Sequence, residues 1–319
     1  MIVARDLTRT FKTKTGIVEA VRGLSLEVAE GELVAFLGPN GAGKSTSVRM
    51  LTTLLPPTSG SATVGGHDVA REPAAVRRQI GYVGQGTGSG PYHRVRDELM
   101  TQGRAQRMSA SAARKRADEL LGMLELEGLA DRDCASLSGG QKRRLDVALG
   151  LMHTPRVLFL DEPSTGLDPH SRANLWEHIT RIRKQSGMTL FLTTHYLDEA
   201  DTMAERVLIM DHGVMIADDT PEKLKANLAG DALRLTLHDD AQAGKAAELA
   251  RALPDAREVR CEGRTVSVTL RNGEGMLPEC IRCLHQAGIE VVSATVKRPT
   301  LDDVFLGLTG RSLREAAAS

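Results

Sequence analysis

Short apolar runs set the rhythm of the first two thirds of this chain. Leu33-Val34-Ala35-Phe36-Leu37, Gln79-Ile80-Gly81-Tyr82-Val83-Gly84-Gln85, Val157-Leu158-Phe159-Leu160 and Thr189-Leu190-Phe191-Leu192-Thr193-Thr194 are bounded by polar or glycine-bearing turns. That is the pattern of strands buried on both faces of a parallel sheet. Between them the apolar spacing is helical. Val48, Met50, Leu51, Leu54 and Leu55 predict one helix, and residues 95 to 130 predict helix with Ala113, Ala117, Leu120, Leu121 and Leu124 on one face behind a Ser109 or Ser111 cap. Leu145, Ala148, Leu149 and Met152 predict another, and Leu175, Trp176, Ile179 and Ile182 a fourth. Residues 2 to 11 and 18 to 28 read instead as an antiparallel pair, and 61 to 64 with 65 to 69 as short hairpin strands after the Pro56-to-Gly60 turn.

From about residue 230 the pattern changes. Leu233, Leu235 and Leu237 alternate as a strand, 241 to 253 reads as helix and 259 to 270 as a hairpin around Glu262-Gly263-Arg264. Leu277, Ile281 and Leu284 return to helical spacing, 289 to 296 to strand, and Leu301, Val304, Phe305 and Leu308 to a last amphipathic helix. The order β-α-β-β-α-β-α is that of a small ferredoxin-like α+β domain. The expected domains are therefore 1–229 and 230–319.

A length of 319 residues accommodates two such domains. Lys plus Arg and Asp plus Glu number 41 each, which argues against a general nucleic-acid binder. No charged-then-apolar leader opens the chain and no apolar run approaches the roughly 18 to 20 residues of a membrane helix, so a cytoplasmic protein is expected. Four cysteines, including the Cys280-x-x-Cys283 pair inside a helical pattern, make no disulfide framework. Buried or partly exposed thiols are expected there rather than a zinc or redox centre.

Candidate chemistry sits where the apolar runs end. Gly38-Pro39-Asn40-Gly41-Ala42-Gly43-Lys44-Ser45-Thr46 follows the first run and opens a helix. Phosphate binding needs backbone N–H groups curled around an anion, and glycines permit that approach. Lys44 is then expected at the β- and γ-phosphates of ATP, and Ser45 on Mg²⁺. The helix N-terminus adds its positive dipole end.

The other runs end in polar groups suited to the same chemistry. Strand alternation would direct Asp161 to Mg²⁺ and Glu162 to the γ-phosphate side, where it polarises the attacking water. His195 follows the last run, where an imidazole could hydrogen-bond the γ-phosphate. Gln85 ends the second run ahead of a glycine-rich, mobile-looking loop; it is either a ligand of Mg²⁺ or the water, or a surface amide. Ser138-Gly139-Gly140-Gln141 opens a helix as a second anion-binding terminus. Asp168 closes a turn that could cross a subunit boundary. Phe11 would either stack on adenine or fill a core.

Taken in order, these residues resemble the nucleotide-binding subunits of ATP-binding cassette (ABC) transporters. The resemblance rests on the loop at 38–46, Gln85, Leu137-Ser138-Gly139-Gly140-Gln141, Asp161 with Glu162, Asp168 and His195. It implies an α/β P-loop NTPase with a RecA-like core, an antiparallel β subdomain and an inserted helical subdomain at about 86–155. It also implies a head-to-tail homodimer in which Ser138 and Gly140 meet the partner's γ-phosphate and Asp168 passes between sites.

The ending Pro299-Thr300-Leu301-Asp302-Asp303-Val304-Phe305-Leu306-Gly307-Leu308-Thr309-Gly310 is similar to the C-terminal domain of daunorubicin-resistance (DrrA-like) ATP-binding proteins. That likeness implies an ATPase driving efflux of a hydrophobic drug or antibiotic, at the cytoplasmic face of the cell membrane, through a separate permease subunit. The stretch Gly86 to Arg96 departs from the pattern in being glycine-rich and basic. Lipid or polysaccharide export by the same machinery, a soluble ABC protein acting on ribosomes or DNA, and a non-hydrolysing scaffold are the rival readings. One cassette without sustained heptads speaks against the second, and Glu162 with His195 against the third.

Overall fold

The structure, a computed structural model, describes residues 1–14 and 16–310, so the last part of the second expected domain, 311–319, lies outside the described residues. The chain forms two compact units, Met1–Asp218 and Asp219–Ser319.

The first unit opens with the long hairpin β1 (Ile2–Thr13) and β2 (Gly16–Val28). It continues through the buried strand β3 (Leu33–Leu37), α1 (Lys44–Leu51), β4 (Ser59–Val64), β5 (His67–Asp68), α2 (Pro73–Gln79) and β6 (Ile80–Val83). Three helices follow, α3 (Val95–Ala105), α4 (Ala110–Met123) and α5 (Gly139–Leu151). The unit closes with β7 (Val157–Asp161), α6 (Pro169–Ser186), β8 (Thr189–Thr194), α7 (Leu197–Met203), β9 (Arg206–Asp211) and β10 (Val214–Asp219).

Two sheets result. The antiparallel sheet has the order β2-β1-β4-β5, and the six-stranded sheet the order β10-β9-β3-β8-β7-β6. β3, β7 and β8 are buried along their whole length, as their unbroken apolar runs require, and they pair in parallel. Helix α1 packs between the sheets, and one core joins Ile2, Leu24 and Val64 to Val48, Phe36, Phe159 and Phe191. The sequence alone did not anticipate α2, α7, β9 or β10.

Two expectations about helices change. The helix after the glycine loop stops at Leu51, not Leu55: Thr53 is left-handed (φ 65°), and Leu54 and Leu55 turn their N–H groups back to the Arg49 carbonyl. Pro56 disfavours helical backbone at Leu55 in any case. The helical stretch 95 to 130 breaks into α3 and α4 at left-handed Arg107, with Ser109, not Ser111, capping α4. Arg116 of α4 is half-buried and donates to the Leu151 carbonyl.

The second unit contains β11 (Asp231–Leu237), β12 (Glu258–Glu262), β13 (Thr265–Leu270) and β14 (Val291–Lys297), all antiparallel in the order β12-β13-β11-β14. With helices α8 (Pro221–Leu224), α9 (Ala243–Arg251), α10 (Gly273–Gln286) and α11 (Leu301–Thr309), this realises the expected ferredoxin-like order. The unit begins ahead of the composition change near 230 because α8 and the π-helical turn Lys225–Ala229 pack against α11. On α10 the inward positions are Cys280 and Leu284, whereas Ile281 is exposed, so the expected apolar face is rotated.

Candidate functional site

Parallel pairing gathers the motifs. Leu37 lies opposite Thr194, Asp161 opposite Thr193 and Val83 opposite Leu160, so the carboxyl ends of β3, β8, β7 and β6 lie side by side. The segments that follow those ends carry Gly38–Lys44, His195, Glu162 and Gln85. In an open α/β sheet this edge is the ligand-binding edge.

The loop from Gly38 to Gly43 needs its glycines for space as well as for conformation. Gly38 has φ +154° and a Cβ there would sit 2.2 Å from the Met210 carbonyl oxygen; Gly43 has φ +108° and a Cβ would sit 2.4 Å from that of Ala20. Lys44 opens α1 and is buried, with Nζ donating to the carbonyls of Gly38 (2.6 Å) and Pro39 (3.0 Å). Burial pulls its pKa below the usual lysine value, while the Glu162 and Asp161 carboxylates oppose the shift. Ser45 Oγ donates to Asp161 Oδ1 at 3.1 Å, and Thr193 Oγ1 donates to the same oxygen at 2.6 Å.

Glu162 does not obtain its direction from strand alternation. β7 ends at Asp161, and Glu162 adopts a left-handed backbone (φ 48°) whose N–H is held by Thr193. Strain of this kind persists where surrounding bonds over-determine it. His195 Nδ1 lies 3.2 Å from Glu162 Oε2, and Thr165 Oγ1 donates to that oxygen at 3.2 Å. The neighbouring imidazole holds the Glu162 carboxyl below its ordinary pKa, against the effect of burial.

Ser138 caps α5 in a reciprocal box: its Oγ accepts from the Gln141 N–H and Gln141 Oε1 accepts from the Ser138 N–H. Asp168 caps α6, accepting from the Ser171 N–H (2.9 Å) and hydroxyl (2.6 Å). Ser138, Gly140, Gln141 and Ser171 line one cavity of about 250 Å³, and no residue of the 38–46 loop reaches it. Phe11 lies outside the core, half-buried on β1 with the Arg9 guanidinium 4.7 Å from its ring centroid, so the core-filling alternative falls.

Gln85 lies two residues beyond β6 in a segment pinned at both sides, where the Gly84 carbonyl accepts from Arg143 and the Gly88 N–H donates to Asp146. The expected mobile loop is thus a hydrogen-bonded one. Sequence reasoning passed over Thr193, Arg143 and Asp146. Polar residues inside an apolar strand or on the buried side of a helix were the available signal.

Ser45, Asp161 and Gln85 all offer hard oxygen ligands, the donor type Mg²⁺ takes. Among the described residues no three His, Cys, Asp or Glu side chains cluster for a metal.

Comparison with known proteins places these features in context. The ABC transporter family matches residues 21–165, and the C-terminal domain of DrrA1-3-like ATP-binding proteins matches 220–309. The daunorubicin resistance ATP-binding protein DrrA3 of Streptomyces coeruleorubidus is 44% identical over 95% of both chains. The daunorubicin/doxorubicin resistance ATP-binding protein DrrA of Streptomyces peucetius is 42% identical over 97% of both. An ATP-binding cassette solved as a dimer in a post-hydrolysis state with ADP and phosphate superposes with a TM-score of 0.64 at 28% identity, covering 69% of this chain and 98% of that one.

Proposed function

This chain belongs to the ABC transporter ATP-binding family and is an ATPase of that class, and from that premise we propose that it powers export of a hydrophobic drug or antibiotic through a separate membrane permease. It would act at the cytoplasmic face of the membrane. Among the described residues no helix is long and apolar enough to cross a bilayer, which is in keeping with a path formed by another polypeptide. The named activity of the resistance proteins, similar along nearly the whole chain, supports the cargo class.

The observation that carries the mechanism is the adjacency of Glu162, His195, Lys44 and Asp161 at one sheet edge. The loop 38–46 would wrap the phosphates with backbone N–H groups, and Lys44 would exchange its two carbonyl partners for phosphate oxygens. Phe11 would carry the adenine. Ser45, Asp161 and Gln85 would hold Mg²⁺, which supplies charge neutralisation on the phosphate oxygens. Glu162, kept ionised by His195, would orient and deprotonate the attacking water, and His195 would donate to the γ-phosphate. Phosphoryl transfer requires chiefly such positioning and charge stabilisation.

Ser138, Gly139, Gly140, Gln141 and Asp168 would complete the site of a second copy, head to tail. Support for this lies in the separation of the Ser138 cavity from the phosphate loop within one chain. Closure would then follow ATP binding and opening would follow hydrolysis.

The test is Mg²⁺-dependent ATPase activity in membranes holding the chain and its permease, with and without candidate drugs, in wild type and Glu162→Gln. Drug-stimulated activity that the substitution lowers by roughly 100- to 10,000-fold is expected. Activity indifferent to permease and drugs would overturn the export reading, and an active Glu162→Gln would overturn the role of Glu162.

A further inference from the structure

Helix α5 carries a buried ion pair that the proposed mechanism leaves without a role. Arg143 and Asp146, one turn apart, are 7% and 6% exposed, with Nη1 and Oδ2 separated by 3.8 Å. Burying two charges is costly unless their hydrogen-bonding capacity is filled. Here it is filled by backbone. Arg143 Nε donates to the Pro163 carbonyl (2.6 Å), Nη1 to that of Gly84 (2.6 Å), and Nη2 to those of Asp161 and Glu162 (both 3.3 Å). Asp146 Oδ1 accepts from the Gly88 N–H at 2.8 Å.

We propose that Arg143 and Asp146 are positioning residues that set Gln85 and Glu162 at fixed heights relative to each other and to the signature helix. One guanidinium fork holds the carbonyls flanking both segments: Gly84 immediately before Gln85, and Asp161, Glu162 and Pro163 around the left-handed turn. Asp146 holds the far side of the Gln85 segment and orients the fork. Two short segments that leave neighbouring strands are thereby tied to one rigid helix, whose first turn is the Ser138–Gln141 motif. A displacement of that motif moves both segments together.

Arginine is required by geometry. Its planar head supplies donors in several fixed directions, whereas a lysine ammonium at the same place is a point charge with three rotatable donors. Desolvation pulls the Arg143 pKa down and pushes the Asp146 pKa up, with each partner opposing the other's shift.

The inference rests on the proposed roles of Gln85 and Glu162. It is tested with the full chain in permease-containing membranes by measuring kcat, ATP affinity, thermal stability and the Mg²⁺ concentration for half-maximal activity. Arg143→Lys is expected to lower kcat by roughly 10- to 100-fold, since ångström misplacement of reacting groups costs that much. ATP affinity should stay within about twofold, because binding energy from the 38–46 loop is untouched, and half-saturation should need more Mg²⁺. Asp146→Leu should behave alike, and Asp146→Asn, which keeps an acceptor for Gly88, should recover part of the loss.

A kcat within twofold of wild type in Arg143→Lys and Asp146→Leu overturns the proposal. So does a loss of kcat matched by equal losses of ATP affinity and melting temperature. Glu162→Gln run alongside separates the two readings: its activity bears on the water-activating role, and only the helix α5 variants bear on the pair.

Discussion

The two units differ most in what they bury. Among the described residues every buried charged side chain, Lys44, Arg143, Asp146, Asp161 and Glu199, belongs to the first unit. Among its described residues the second unit buries apolar side chains and a thiol, with Leu233, Leu235, Val266, Val268, Cys280 and Leu284 at its centre. Buried charge is expensive unless paired; in the first unit Lys44, Arg143 and Asp146 find partners in the loops at the sheet edge, Asp161 in Ser45 and Thr193, and Glu199 in Thr194 and Arg172. The difference teaches where to look for function: Lys44 and Asp161 belong to the proposed nucleotide site, and Arg143 holds the backbone on either side of it.

The largest expected effect breaks the first unit's chemistry in two distinct ways. Lys44→Ala removes a charged donor and should weaken ATP binding by roughly 10- to 100-fold, from about 1.5–3 kcal/mol of charged hydrogen bonds. Glu162→Gln should leave that affinity unchanged, read by equilibrium binding of ATP, while stopping hydrolysis. If both variants lose affinity together, the separation of binding from catalysis fails.

Next in size is a cavity in the second unit. Leu235 is fully buried on β11, so Leu235→Ala should cost about 2–5 kcal/mol. Thermal unfolding should show that unit melting roughly 10 °C or more lower. ATP affinity should not change, and a fall in affinity would mean that the two cores are not independent.

A smaller effect concerns acid. The native pKa of Glu162 is lowered from 4.5, so the carboxylate contributes stability above that value which is lost as pH falls through its native pKa. The stability difference between wild type and Glu162→Gln should therefore narrow below about pH 4.5 in acid denaturation, and a constant difference would sever Glu162 from His195. Smallest is a labelling contrast in the second unit. Burial pushes the Cys280 thiol up to about 11, whereas Cys261 is exposed. Maleimide at neutral pH should modify Cys261 first and reach Cys280 only on unfolding.

Much was legible in the chain before folding. The uniform apolar runs announced β3, β6, β7 and β8, and the periodicity from 230 onward announced the ferredoxin-like order, because burial on one or both faces leaves a direct trace in residue type. Lys44, Ser45, Asp161, Glu162 and His195 were recognisable because each follows such a run. Elements with a weaker trace were missed, α2 and α7 being short and β10 only partly buried, but β9 was passed over although its Val207-Leu208-Ile209-Met210 run is buried throughout.

Sequence by itself therefore nominated candidate phosphate-binding residues and the buried strands that carry them, since local spacing and unbroken apolar runs suffice for that. Only the tertiary structure decided how the groups are aimed. The left-handed backbone of Glu162, the Arg9 contact that keeps Phe11 at the surface, and the Arg143 fork across two separate segments all depend on hydrogen bonds and contacts between distant or non-adjacent positions. The Arg143 donors and the Thr193 hydroxyl meet backbone atoms that every residue carries, so residue type does not name those partners in the chain.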